Sequence, residues 1–296
     1  MVKYSEEIDI RGHYTDLEGR LIMKSLCDLF NDVANVQTYA LKIDVPTLNE
    51  QGLTWMLHKL HILINRMPEQ GENVTLETWP SGIDRLFAIR DFRMVAGEEV
   101  LLRATSEWMV IDVNRRRPVR LPACVTETAA FCVDGIREIP FELDTKKMPT
   151  NFENTRRFTA TYDNIDFNKH VTQATYVRWV TNSLSYEFLK DHEITELEII
   201  YEHEVLPDSV VCAGCHVEEE ENRVKVYHQV RNESLDKTHC CCWLLEKAVR
   251  IGCIFYCLFR EIRVKIPLIC FAITRKYYIF APLKNAQVVK LVYTLL

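Results

Sequence analysis

The chain has 296 residues, 48% of them apolar, with 36 Lys or Arg against 42 Asp or Glu and a net charge of −6. That supplies a core for one large domain or two ordinary ones and excludes wholesale disorder, while the acidic balance excludes a general nucleic-acid binder. Residues 1–7 lack the apolar stretch of a secretion signal, so a cytoplasmic setting is expected, with the eleven cysteines, an odd number, as reduced thiols.

Residues 4–14 read as a strand. Residues 21–36 read as an amphipathic helix, with Ile22, Leu26, Leu29, Val33 and Val36 along one stripe. Alternation then predicts strands over 54–66, 73–79, 85–95 and 100–112. A polar stretch with two prolines, 133–154, reads as a linker. Beyond it, 155–162 alternates again, with Phe158, Ala160 and Tyr162 on one side and Arg157, Thr159 and Thr161 on the other. Val171, Ala174, Val177, Val180, Leu184 and Phe188 recur at helical steps, predicting a helix over 171–190. Strands are predicted over 195–205, 209–218, 223–231 and 238–246.

Each half is therefore one strand, one long helix and about four antiparallel strands, an α+β layout repeated once. The expected units are 1–132, the linker 133–154, 155–246 and a tail, 247–296. Asp16-Leu17-Glu18-Gly19-Arg20-Leu21 lies about 150 positions before Asp166-Phe167-Asn168-Lys169-His170-Val171. Further on, Arg66-Met67-Pro68 pairs with Val205-Leu206-Pro207, Trp108 with Trp243, and Asn65 with Glu204. The first half thus has Glu18, Arg20 and Asn65 where the second has Asn168, His170 and Glu204, so the chemistry is expected in the second.

The tail holds nine Lys or Arg against one acid, Glu261, a net of +8, while the preceding residues carry 27 bases against 41 acids, or −14. Its apolar runs, 251–259 and 266–273, fall short of the ~18 residues of a spanning helix. Three readings stand: a basic amphipathic surface, a disordered appendage, or sequence foreign to the fold, with composition favouring the last.

Chemistry concentrates at Asp166, Asn168 and His170, on a turn from strand to helix. A helix starting there directs unpaired N–H groups at whatever these side chains surround, which suits an oxyanion. Asp166 and Asn168 are also good helix caps. Among nine histidines only His170 has this setting; His58 and His61 lie in an alternating strand and read as structural. Glu198, Glu202 and Glu204 share one side of a strand, a pattern that also describes a solvated face. Cys212, Cys215, His239 and Cys240–Cys242 have metal-ligand side chains, but the run 210–217 lacks a knuckle's turn residues. They are expected as buried strand residues, and no metal or other cofactor is expected.

With this layout and turn, the chain resembles the fatty acyl-acyl carrier protein thioesterases over about residues 3–246. Further segments carry the resemblance: Gly82-Ile83-Asp84-Arg85 through Arg90-Asp91-Phe92, Ala104-Thr105-Ser106-Glu107-Trp108-Met109-Val110 followed by Arg115-Arg116-Arg117, and Tyr176-Val177-Arg178-Trp179. It implies two tandem hotdog domains, each an antiparallel sheet wrapped around a long helix. It also implies a catalytic set of Asp166, Asn168, His170 and Glu204. Plant members have a cysteine after that acid; Val205 stands here, so a Cys–His route is closed.

The implied reaction is cofactor-free hydrolysis of a thioester, with N–H groups near His170 and Val171 holding the oxyanion. Water is activated by Glu204 or Asp166, with His170 and Asn168 orienting it; in the alternative, Asp166 attacks directly and forms an acyl anhydride. The first half, including Trp55 and Met56, is expected to take the acyl chain. Arg115, Arg116 and Arg117 are expected to meet an acidic acyl carrier protein. Two complete units in one chain suit a monomer, and a homodimer is equally open. The rivals are an enoyl-thioester hydratase or dehydratase of the same fold, which has no use for Glu204, and a non-catalytic acyl-binding regulator, which would have lost the acid–imidazole set.

Overall fold

The first apolar stripe folds as α1 (Met23–Ala40), burying Met23, Leu26, Cys27, Phe30, Val33 and Ala34. Around it lie β1 (Tyr4–Asp9), the short α2 (Val45–Asn49), and strands β2 (Leu53–Ile64), β3 (Asn73–Asp84), β4 (Phe87–Ala96) and β5 (Glu99–Asp112). A three-residue strand, β6 (Arg117–Val119), and α3 (Ala123–Glu127) follow. The second half supplies β7 (Glu153–Thr159), α4 (Gln173–Asn182), α5 (Tyr186–Asp191), β8 (His192–Tyr201), β9 (Val210–Glu219), β10 (Val224–Asn232) and β11 (Lys237–Ala248). This computed structural model describes residues 3–128, 137–166, 169–220, 223–232 and 237–248. The tail and its three readings lie outside the described residues.

All the strands form one antiparallel sheet, ordered β1-β3-β4-β5-β2-β8-β11-β10-β9-β7, with β6 beside β5. The two halves join where β2 meets β8, through Lys59 opposite Ile200 to Leu63 opposite Glu196. Each half wraps its five strands around its own helix, as the hotdog expectation requires. α1 and α4 also touch, through Asn31 and Gln173. One apolar cluster, from Ile10 to Leu244, fills the interior of both units, and burying a large apolar side chain there stabilises by about 1.5–3 kcal/mol. Among the described residues no helix is long and apolar enough to cross a membrane.

The expected helix over 171–190 is two helices. α4 ends at Asn182, and Ser185 then caps α5 by accepting the Phe188 N–H at 3.1 Å. A second serine makes the break: Ser183 returns its hydroxyl to the Val180 carbonyl, satisfying the backbone locally instead of extending the ladder.

The duplication reaches individual hydrogen bonds. Asp16 N–H donates to Arg20 O and Gly19 N–H to Asp16 O; Asp166 N–H donates to His170 O and Lys169 N–H to Asp166 O, at 2.8 and 3.0 Å in both turns. Gly19 and Lys169 both occupy the left-handed region, at φ 80° and 66°. Further on, Leu21 N–H donates to Pro68 O where Val171 N–H donates to Val205 O. The Ile10–Gly71 and Ile10–Glu72 bonds have counterparts in Ala160–Asp208 and Ala160–Ser209. These bonds correct the pairing expected from sequence. Pro68 corresponds to Val205, Met67 to Glu204 and Asn65 to Glu202. Trp243 sits opposite Glu198 as Thr105 sits opposite His61, so it does not answer Trp108. Proline pairs and tryptophan pairs attract the eye, but the hydrogen bonds align the two loops at equal length, with Pro68 opposite Val205 and Gly71 opposite Asp208.

Candidate active site

The turn from β7 to α4 is braced from within. Asp166 Oδ1 accepts the His170 N–H at 3.2 Å, as Asp16 Oδ1 accepts the Glu18 and Arg20 N–H groups at 2.9 Å. Part of the Asp166 role is therefore architectural and shared with the first unit. Lys169, in a left-handed conformation that costs a non-glycine residue about 1–2 kcal/mol, marks a turn whose shape is held by its surroundings.

His170, half-buried, presents Nε2 to Glu204 Oε2 at 2.9 Å, and the other Glu204 oxygen contacts the Arg116 guanidinium. Three elements converge: the β7–α4 turn, the segment after β8, and the turn after β5 of the other unit. That last turn is built by Asp112, whose Oδ1 accepts the Asn114 and Arg115 N–H groups at 3.0 and 2.8 Å. A carboxylate only accepts, so Nε2 carries the shared hydrogen and Nδ1 holds the basic lone pair. Burial holds the imidazole below its ordinary pKa; Arg116 pushes the same way and the Asp166 charge opposes both. The neutral ring is thereby favoured.

The structure brings Asp166, His170 and Glu204 together as expected from the sequence, and Asn168 lies outside the described residues. Arg116, expected as part of a docking patch, instead enters the site, while Arg115 and Arg117 are exposed beside it. Glu204 lies beyond the end of β8, off the strand face assumed for it. Glu198 is not solvated: it is fully buried, accepting the Glu142 N–H at 3.1 and 2.9 Å and the Leu143 N–H at 2.9 Å. Trp55 donates to the Ile43 carbonyl at 2.7 Å and packs on a small separate cluster of Ile43, Leu48, Val110 and Val125; Met56 pairs with Met109 beside it.

The oxyanion expectation needs correction. The His170 N–H is held by Asp166 and the Val171 N–H by the Val205 carbonyl at 3.3 Å, so both serve the turn. Gln173 and Ala174 open α4, and the N–H groups of a first turn have no intrahelical partner. Sequence reasoning also missed Tyr176, whose hydroxyl receives the Val205 N–H at 2.8 Å. The available signal was a phenol one helical turn past the turn bearing Asp166 and His170. Among the described residues no three His, Cys, Asp or Glu side chains group as metal ligands.

Two family models match the chain: the acyl-ACP thioesterase N-terminal domain over residues 1–128 and the corresponding C-terminal domain over 147–242. An acyl-[acyl-carrier-protein] hydrolase from the chloroplast of Cuphea viscosissima is 30% identical over 64% of this chain and 47% of its own length. An oleoyl-acyl carrier protein thioesterase of Arabidopsis thaliana is 27% identical over 70% of this chain and 61% of its own. The chain thus spans about half to three-fifths of these curated relatives. Among solved structures, a putative oleoyl thioesterase from Lactobacillus plantarum superposes with a TM-score of 0.76 at 25% identity, covering 83% of this chain and 96% of that one. An acyl-ACP thioesterase from Bacteroides thetaiotaomicron, at 24% identity and a TM-score of 0.72, shares the fold over 83% of this chain and 98% of that one.

Proposed function

Because the chain belongs to the acyl-ACP thioesterase family, we propose that it hydrolyses the thioester of a fatty acyl-acyl carrier protein, releasing the free fatty acid and the carrier's thiol. The observation that carries this reading is the meeting of His170, Glu204 and Arg116, drawn from both units, at the start of α4.

The acyl carbonyl lies against the first-turn N–H groups of Gln173 and Ala174, where the positive end of the helix stabilises the developing oxyanion. Glu204 takes a proton from water as the water oxygen bonds to the carbonyl carbon. His170, braced by Asp166, orients that water. Collapse of the tetrahedral intermediate breaks the carbon–sulfur bond, and the departing thiolate takes the proton back. Direct attack by Asp166 is the second route, and it is disfavoured because Oδ1 is already committed to bracing the turn. Single turnover in isotope-labelled water distinguishes them: label in Asp166 means the anhydride route.

The acyl chain is assigned to the first unit, since α1 meets the opening of α4 through Asn31 and Gln173. Trp55 and Met56, within β2, stay assigned to the acyl chain. Arg115 and Arg117, exposed beside Arg116, form a basic rim for an acidic carrier. A cytoplasmic setting fits the free thiols of Cys27, Cys124, Cys240, Cys241 and Cys242.

The test is release of free thiol and fatty acid from palmitoyl- and octanoyl-carrier protein, with acyl-coenzyme A in parallel. Turnover on the carrier substrates is expected, and no thiol release from either overturns the reading. Charge reversal at Arg115 and Arg117 is expected to raise KM for the carrier substrate and flatten its salt dependence, leaving kcat alone.

A further inference from the structure

Glu204 stands on a short segment between β8 and β9, and one phenol grips that segment beside it. The Tyr176 hydroxyl, on the first turn of α4, receives the Val205 N–H at 2.8 Å and lies 3.5 Å from the His203 carbonyl. The Val205 carbonyl in turn accepts the Val171 N–H, so both backbone groups of Val205 are tied to the start of the catalytic helix. Tyr176 is 4% exposed, set edge-on to Tyr201 and tilted against Trp179, so its hydroxyl has little room to swing.

The first unit is an internal control. Its turn, its helix start and its loop after β2 repeat the same backbone hydrogen bonds, with Leu26 at the place of Tyr176 and Pro68 at the place of Val205. Leucine offers no acceptor and proline no N–H, so the pair is missing as a pair. The acid is missing with it, since Met67 takes the place of Glu204. The fold forms this loop without the phenol wherever there is no carboxylate to aim.

We propose that Tyr176 is a positioning residue that fixes the backbone on both sides of Glu204 and so holds its carboxylate against His170. This rests on the reading of Glu204 as the group that activates water. A displacement of about 1 Å in a catalytic group costs on the order of a hundredfold in rate, so the grip is expected to appear in kcat rather than KM.

The experiment is a double-mutant cycle on the full chain: Tyr176→Phe, Glu204→Gln and both together, with kcat, KM and the pH profile measured on one acyl-carrier substrate. Tyr176→Phe is expected to lower kcat roughly ten- to a hundredfold with KM within about twofold, and to add nothing in the Glu204→Gln background. An equal loss in both backgrounds, or an unchanged kcat, overturns the proposal. Full activity of Glu204→Gln overturns the reading beneath it, a distinguishable failure. Should Tyr176→Phe not fold, Val205→Pro removes the same bond from the backbone side, as in the first unit. It is expected to reproduce the kcat loss, and unchanged turnover in it counts equally against the proposal.

Discussion

Asp166 and Asp16 brace their turns alike, yet only one turn carries an imidazole facing an acid. Asp166→Asn keeps the oxygen that accepts the His170 N–H and removes the charge, so it separates chemistry from bracing where alanine would confound them. Turnover is expected to fall by orders of magnitude with the melting temperature little changed; a normal rate would reduce Asp166 to a brace. With the His170 imidazole held below its ordinary pKa, kcat is expected to rise through an inflection below about 6.5 and then level. A midpoint at or above that value, read from the pH–rate profile, would contradict the site's electrostatics. His228 provides a stability test. It is fully buried, pushed down to about 3 by burial, and bonded through Nδ1 to the Ser183 hydroxyl at 3.1 Å. Its folded pKa lies below its unfolded one, so between about 6.5 and about 3 the unfolded chain binds the extra proton and stability falls as pH falls. The full effect is on the order of 5 kcal/mol, and urea midpoints of His228→Gln should lose that acid dependence.

At the scale of elements, the linker forms a strap over the sheet. Its Glu142 and Leu143 N–H groups end on buried Glu198, the Pro140 carbonyl meets His61 Nδ1 at 2.5 Å, and the Ile139 N–H reaches Thr105 Oγ1 at 3.1 Å. His61 also holds Glu196 at 2.7 Å, which with Glu198 keeps its pKa raised against the cost of burial. Glu198→Gln leaves at least one strap N–H facing an amide, and is expected to cost about 1–3 kcal/mol in urea unfolding and to speed proteolysis within 137–148. Unaltered unfolding would show the strap to be dispensable. This element was legible only as a polar stretch with two prolines, because the acids that hold it lie far along the chain. Strand and helix positions were legible because alternation and helical stripes are local. The break at Ser183–Ser185 was not, since Leu184 and Phe188 continue the apolar period across it.

At the scale of the molecule, two wrapped helices share one sheet, and the site lies where a turn of one unit reaches the other. The family match ends at residue 242 and β11 at Ala248, while the basic, acid-poor composition begins at 247. A chain ending at Ala248 is therefore expected to keep its cooperative melt and the proposed thioester hydrolysis; loss of either in a truncation series would make the remaining residues integral.

The order of residues determined by itself the α+β class, the repeated unit and the turn bearing Asp166 and His170, because periodicity and turn chemistry act over a few neighbours. Tertiary structure alone decided that Glu204 leaves its strand to meet His170, that Arg116 crosses from the other unit, and that Met67 and Pro68 stand where Glu204 and Val205 do. Those relations depend on sheet register, which is set by packing between segments from dozens to more than a hundred residues apart and leaves no local pattern to read.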